Sequence, residues 1–229
     1  MRIHYLQHVP FEDLAWIADW LKMRQFPTTK TILYQHEILP PTEQFDWLFI
    51  LGGPMNIYEE QLYPWLSREK KFIEQAITAG KIVIGICLGA QLLADVLGAK
   101  VLKNSHREIG WFPVTLTPTA MQSNLFHTFP STFMAFHWHG DTFDLPDGSN
   151  RLAESIACKN QAFQYQQNVF GFQFHTECTL RSIENLITHC GDEITERGDF
   201  VQTEAQIKTQ FNYIPTTNHL LQSFLEQLL

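Results

Sequence analysis

The chain has 229 residues, 45% of them hydrophobic, and its 16 basic and 24 acidic side chains give a formal net charge of -8. That is enough chain for one substantial core, so a single domain spanning residues 1–229 is the expected organisation, with 191–229 an extension packed on it. The negative balance offers no broad cationic footprint for nucleic acid, and small-molecule or peptide substrates are expected instead.

The N-terminus, MRIHYLQHVPFEDL, carries acids early and has no long apolar stretch, so it does not read as a signal peptide. No run approaches the length of a membrane span, and no membrane partner is expected. Residues 2–9 read as a strand. Leu14, Ile17, Ala18 and Leu21 then recur at helical spacing between Phe11 and Met23, and Pro27 follows the end of that helix. A second, β-branched strand is expected at Thr31 to Gln35. The apolar run Asp46 to Leu51 is a third, cut off by Gly52, Gly53 and Pro54. Tyr63 to Ala79 predicts a helix stopped by Gly80, and Lys81 to Ile86 a buried strand leading into Cys87. A short helix follows through Leu97. Short apolar strands alternating with helices predict an α/β fold, an open and mainly parallel sheet flanked by helices in three layers.

The second half is richer in strands, with candidates at 110–117, 132–137, 162–166 and 169–174. The break at Gln167–Asn168 joins the last two as a hairpin. Thr179 to Cys190 reads as a helix capped by Thr179. Residues 198–215 look irregular, and 219–229 form a short amphipathic helix that packs back on the domain. Nothing reads as a linker.

The sharpest local pattern is Gly85-Ile86-Cys87-Leu88-Gly89, between a strand and a helix. A nucleophile on such a turn projects from the sheet on a strained backbone, and flanking glycines clear the space around it. The helix start beyond Cys87 supplies free N–H groups that stabilise negative charge. Taken alone, the motif fits a buried structural cysteine equally well. The other cysteines, Cys158, Cys178 and Cys190, form no CxxC pair with it or with one another, which fits a reducing cytoplasm.

Four separated segments change the odds: Ile50-Leu51-Gly52-Gly53-Pro54, Gly85 to Gln91, His139-Gly140-Asp141, and Gly171-Phe172-Gln173-Phe174-His175-Thr176-Glu177. In order and spacing the chain resembles the class I glutamine amidotransferases, especially the glutaminase part of GMP synthetase and its free-standing relatives. The resemblance implies a flavodoxin-like sheet and a cysteine amidase. It implies Cys87 as nucleophile, His175 as base and Glu177 as the carboxylate orienting the imidazole, an order of contact that thiol catalysis requires. It places the backbone N–H groups of Gly53 and Leu88 around the developing oxyanion. It assigns substrate contacts to Gln91 and to Trp138, His139 and Gly140. Trp138 departs from the small or amide side chain of relatives and brings a bulky ring with one donor. The Arg107 to Trp111 segment is expected to give structural support.

His137 and His139 form an HxH pair, with His106 elsewhere, but a metal needs three or four converging ligands, so no metal and no cofactor are expected. Three functions remain open: hydrolysis of glutamine or a γ-glutamyl compound, a glutaminase subunit passing ammonia to a separate synthetase, and a non-catalytic scaffold of the same fold. The chain shows no GxxxxGK[ST] loop, and it is expected to act without a fused ammonia-using domain.

Overall fold

The computed structural model describes residues 1–196 and 198–229. In its first half β1 (Ile3–Gln7), β2 (Thr28–Ile32), β3 (Trp47–Ile50) and β4 (Ile82–Ile86) alternate with α1 (Trp16–Arg24), α2 (Trp65–Thr78) and α3 (Leu88–Val96). The second half contains β5 (Val101–Leu116), α4 (Pro118–Met121), β6 (Thr132–Phe143), β7 (Ser149–Glu154), β8 (Ala162–Tyr165) and β9 (Val169–Phe172). It closes with α5 (Leu180–Cys190), α6 (Glu204–Lys208) and α7 (Ile214–Gln227).

All nine strands among the described residues join one sheet in the order β2-β1-β3-β4-β9-β8-β7-β5-β6. The pairs from β2 through β9 are parallel. The pairs from β9 through β6 are antiparallel. The expected α/β sheet flanked by helices is therefore present, with an antiparallel extension on its second half.

Within the parallel part, β3 and β4 are buried on both faces, which is why they read as continuous apolar runs. Trp47 and Phe49 pack on one side with Ile17, Trp20 and Leu21 of α1 and Leu221, Phe224 and Leu225 of α7. Leu48 and Ile50 face the other side, against Leu66, Phe72 and Ile73 of α2 and Leu92 and Leu93 of α3. Each such fully buried side chain contributes about 1.5–3 kcal/mol of transfer free energy. A third cluster joins Trp111, Phe136 and Trp138 of the antiparallel half to Ile183 and Leu186 of α5 and Ile207 of α6.

Several boundaries differ from the sequence reading. Residues 11–15 are not helical, because Ala15 takes φ 46° and α1 begins at Trp16. The second strand ends at Ile32, and Leu33–Gln35 is a 3-10 turn. β5 starts nine residues before the expected 110, at Val101. Its first part, KNSHRE, is polar because it pairs only with β6 and lies largely exposed, so it carries no apolar signal. β6 also runs on past the expected 137, to Phe143, and takes His139, Gly140 and Asp141 with it; this part is buried or half-buried, but the run from His139 to Thr142 is polar and carries no apolar pattern. β7 was not foreseen. Within 198–215, α6 is nucleated by a Thr203–Gln206 capping box. The Thr179 cap of α5 is present and accepts from the Ser182 N–H at 3.1 Å.

Candidate functional site

β4 ends at Ile86, and Cys87 turns the chain into α3 with φ 52° and ψ -108°. A non-glycine residue in this region is strained by about 1–3 kcal/mol and persists only where its surroundings enforce it. Here the Cys87 N–H is tied to the Phe172 carbonyl of β9 at 2.8 Å. The flanking glycines admit the helix. A β-carbon on Gly85 would overlap the Gly89 carbonyl, and one on Gly89 would overlap the Ile50 carbonyl of β3. The turn presents the start of α3 to the pocket, so the Leu88 N–H belongs to the first, unpaired turn of a helix.

His175 follows β9 and is fixed by a two-way bridge to Phe136 of β6, with N···O distances of 2.8 and 3.3 Å. Its Nδ1 lies 2.6 Å from Glu177 Oε1, and both side chains are nearly buried. Burial alone would lower the His175 pKa. The Glu177 carboxylate and the Cys87 sulfur outweigh burial and hold the ring well above its ordinary value. The sulfur makes its aligned contacts with the Trp138 carbonyl at 3.5 Å and the Gln173 amide at 3.7 Å. Gln173, His175 and Glu177 stand two apart, the spacing that puts side chains on one face of an extended segment. The turn carrying them is held from outside: Asn218 of α7 donates to the Thr176 and Cys178 carbonyls at 2.8 and 3.0 Å.

Cys87, His175, Gly53, Leu88, Gln91, Trp138, His139 and Gly140 all line one cavity of about 290 Å³. Glu177 backs His175 from behind it. The Gln91 amide is engaged by Gln173 Oε1 at 3.2 Å and the Asp141 carbonyl at 3.4 Å. The Trp138 indole packs among Ile183, Leu186 and Cys190, while its carbonyl faces the sulfur. Gly140 lies under the Arg107 guanidinium, so a β-carbon there would sit 3.4 Å from Nε.

His139 is held at both ring nitrogens, 2.9 Å from the Asp141 carbonyl and 2.9 Å from Glu108 Oε2. Glu108, in the segment expected to give support, is fully buried and also accepts from Gln161 at 2.6 Å and Ser155 at 2.8 Å. These donors, with the nearby histidines, overcome burial and bring its carboxyl down to about 2. His137 is buried beside it, and burial lowers its pKa to about 4. Glu108, His137 and His139 thus converge, with ligand atoms within 4.8 Å of one another. The carboxylate is engaged by side-chain donors from His139, Gln161 and Ser155, whereas both ring nitrogens of the buried His137 lack a hydrogen-bond partner among the described residues. His106 stands apart, edge-on to Phe200 at 5.1 Å.

The cavity wall also holds groups that the sequence reading did not single out. Glu12, from the loop before α1, approaches Gly52 closely. Burial raises its pKa to about 7, with His175 and His8 opposing the rise. Glu193 lies across the pocket, 3.6 Å from Arg107. Lys103 and Asp141 complete a rim of both signs. No local pattern marks Glu12 or Glu193: the first comes from the loop before α1 and the second from a short 3-10 helix directly after α5.

With this geometry in hand, the comparisons with known proteins point one way. The profile of the family described as glutamine amidotransferase class-I matches residues 19–190. The chain belongs to that family. It is 37% identical to the glutamine amidotransferase-like protein YfeJ of Salmonella typhimurium, over 100% of this chain and 97% of that protein. A crystal structure of a glutamine amidotransferase from Thermotoga maritima superposes with a TM-score of 0.90 at 33% identity, covering 99% of this chain and 97% of that one. The GMP synthase (glutamine-hydrolysing) of Vibrio atlanticus is 31% identical over 65% of this chain, but the match spans only 28% of that enzyme's length.

Proposed function

We propose that this member of the family is a cysteine amidase that hydrolyses the side-chain amide of glutamine or of a γ-glutamyl compound. The observation that carries the reading is the Cys87 sulfur on its strained turn, sharing a cavity with a His175 ring that Glu177 holds at 2.6 Å. In this reading His175 already holds the proton taken from the thiol as the sulfur attacks the amide carbon. The Gly53 and Leu88 N–H groups receive the charge that develops on oxygen. The C–N bond breaks, His175 returns the proton to the departing nitrogen, and a glutamyl thioester remains on Cys87. Water then attacks the thioester with His175 as base, releasing the acid and the free thiol. Glu177 keeps the ring's Nδ1 protonated and supports the imidazolium form. The mixed rim of Lys103, Arg107, Glu12, Asp141 and Glu193 suits the zwitterionic head of an α-amino acid.

The match to part of a GMP synthase supports a second reading, a glutaminase that delivers ammonia to a separate synthetase. A non-catalytic scaffold would have no need of the buried His175–Glu177 pair. The deciding experiment is a panel assay of purified protein, scoring ammonia or amine release from glutamine, glutathione and other γ-glutamyl compounds. Release from glutamine or γ-glutamyl peptides by the protein alone supports hydrolysis. Turnover of glutamine only after addition of an ATP-dependent partner moves the assignment to the second reading, and no turnover under either condition overturns the amidase.

A further inference from the structure

Against the Gly52–Gly53 loop, and outside the lining of the Cys87 cavity, lies a buried ion pair that the chemistry above does not use. His8 follows β1 and Glu69 lies on α2, and both side chains are fully buried. His8 Nδ1 is 2.9 Å from the Gly52 carbonyl oxygen, and Nε2 is 2.8 Å from Glu69 Oε1. The ring also packs on Trp65 at 5.5 Å, so it has little freedom to turn. A carbonyl oxygen and a carboxylate can only accept hydrogen bonds, so a ring placed between them needs a proton on each nitrogen. An ionised Glu69 thus calls for His8 in its imidazolium form. Burial opposes this charge, but the Glu69 carboxylate and the Gly52 carbonyl outweigh it and raise the His8 pKa.

The consequence passes through one peptide plane. The Gly52–Gly53 bond is planar and trans, so the Gly53 N–H points opposite to the Gly52 carbonyl. With that carbonyl turned onto His8, the N–H is turned away from it. Gly53 lines the Cys87 cavity. Among the described residues no hydrogen bond engages its N–H. The loop rests directly on the histidine, since a β-carbon on Gly53 would come within 3.1 Å of His8 Cβ.

We propose that His8, kept cationic by Glu69, is a positioning residue that locks the Gly52–Gly53 peptide with its N–H facing the Cys87 cavity as an oxyanion donor. Its charge also polarises that peptide, which strengthens the donor as charge develops on the substrate oxygen. The role rests on the amidase reading, and its tests separate the two. Nitrogen-15 NMR of histidine-labelled protein at pH 7.5 should show His8 with both ring nitrogens protonated, assigned by signals missing from His8→Asn. A neutral ring would overturn the proposal.

Kinetics supply the second arm, with γ-glutamyl-p-nitroanilide and glutamine as substrates. His8→Gln reaches toward Glu69 but loses the donor to Gly52, and kcat should fall ~100-fold with KM little changed, as for a lost oxyanion donor. His8→Asn keeps a donor near the Nδ1 position and should recover about tenfold or more of that loss. Alkylation of Cys87 by iodoacetamide, which forms no oxyanion, should proceed at the wild-type rate in both variants. Equal loss in the two variants, or full activity in His8→Gln, would show that His8 is only structural. A wild-type protein inactive on every γ-glutamyl amide would overturn the amidase reading and this role with it.

Discussion

Gly89 of α3 and Ile50 of β3 approach so closely that a β-carbon on the glycine would overlap the isoleucine's carbonyl oxygen. The neighbour is backbone at the C-terminal end of a fully buried strand, so it has little room to yield. Gly89→Ala should therefore destabilise the protein by about 1–3 kcal/mol, the usual range of overpacked cores. Chemical denaturation checks this through the midpoint. Because α3 carries Leu88, the variant should also lose activity, and a wild-type midpoint would contradict the packing argument.

The reaction proposed for Cys87 makes two sharp demands on its partners. Cys87→Ala should abolish both turnover and labelling by glutamine-like diazo-ketones. Glu177→Gln keeps the shape but removes the charge that supports the His175 imidazolium, and kcat should drop by ~10²–10⁴. Steady-state kinetics with intact-protein mass spectrometry would read both. Hydrolysis that survives Cys87→Ala would end the mechanism.

Glu12 links the site to pH. Its folded pKa of about 7 lies above the ordinary 4.5, so the native state holds this proton more tightly than the unfolded chain. Below about 4.5 the group is neutral in both states and its relative stabilisation is complete. As pH rises to about 7 that stabilisation is lost, by ~2 kcal/mol allowing for its partial exposure. Glu12→Gln should remove this slope. Urea unfolding at pH 5 and pH 8 should show the variant gaining on the wild type at the higher pH, and parallel curves would refute it.

Asn218 bridges the last helix to the turn that carries His175 and Glu177. Replacing it with alanine leaves the Thr176 and Cys178 carbonyls without this donor, which should cost about 1–3 kcal/mol of stability. Looser placement of the imidazole should lower kcat more than KM is raised. Calorimetry and kinetics on Asn218→Ala would test the pair, and an unchanged kcat would mean that α7 holds the core alone.

Cys87 on its turn and the Gln173, His175, Glu177 alternation were legible in the chain itself. Both depend on neighbours in sequence: glycines flank the elbow, and a period of two puts alternate side chains on one face. The continuous apolar runs of β3 and β4 were legible for a similar reason, because burial on both faces removes any need for polar residues. The polar first part of β5 was not, since it lies largely exposed, nor was β7, whose buried signal is confined to the adjacent pair Leu152 and Ala153. Nor could sequence reveal that His8 meets Glu69 across 61 positions, or that Asn218 reaches Thr176 across 42. Those contacts are long-range hydrogen bonds between single polar side chains, and such residues look like surface residues until the fold removes their water. The sequence alone determined which atoms could react. Tertiary structure decided which charges surround them, because burial and proximity, set by segments far apart in the chain, control the protonation of Glu12, His8 and His175.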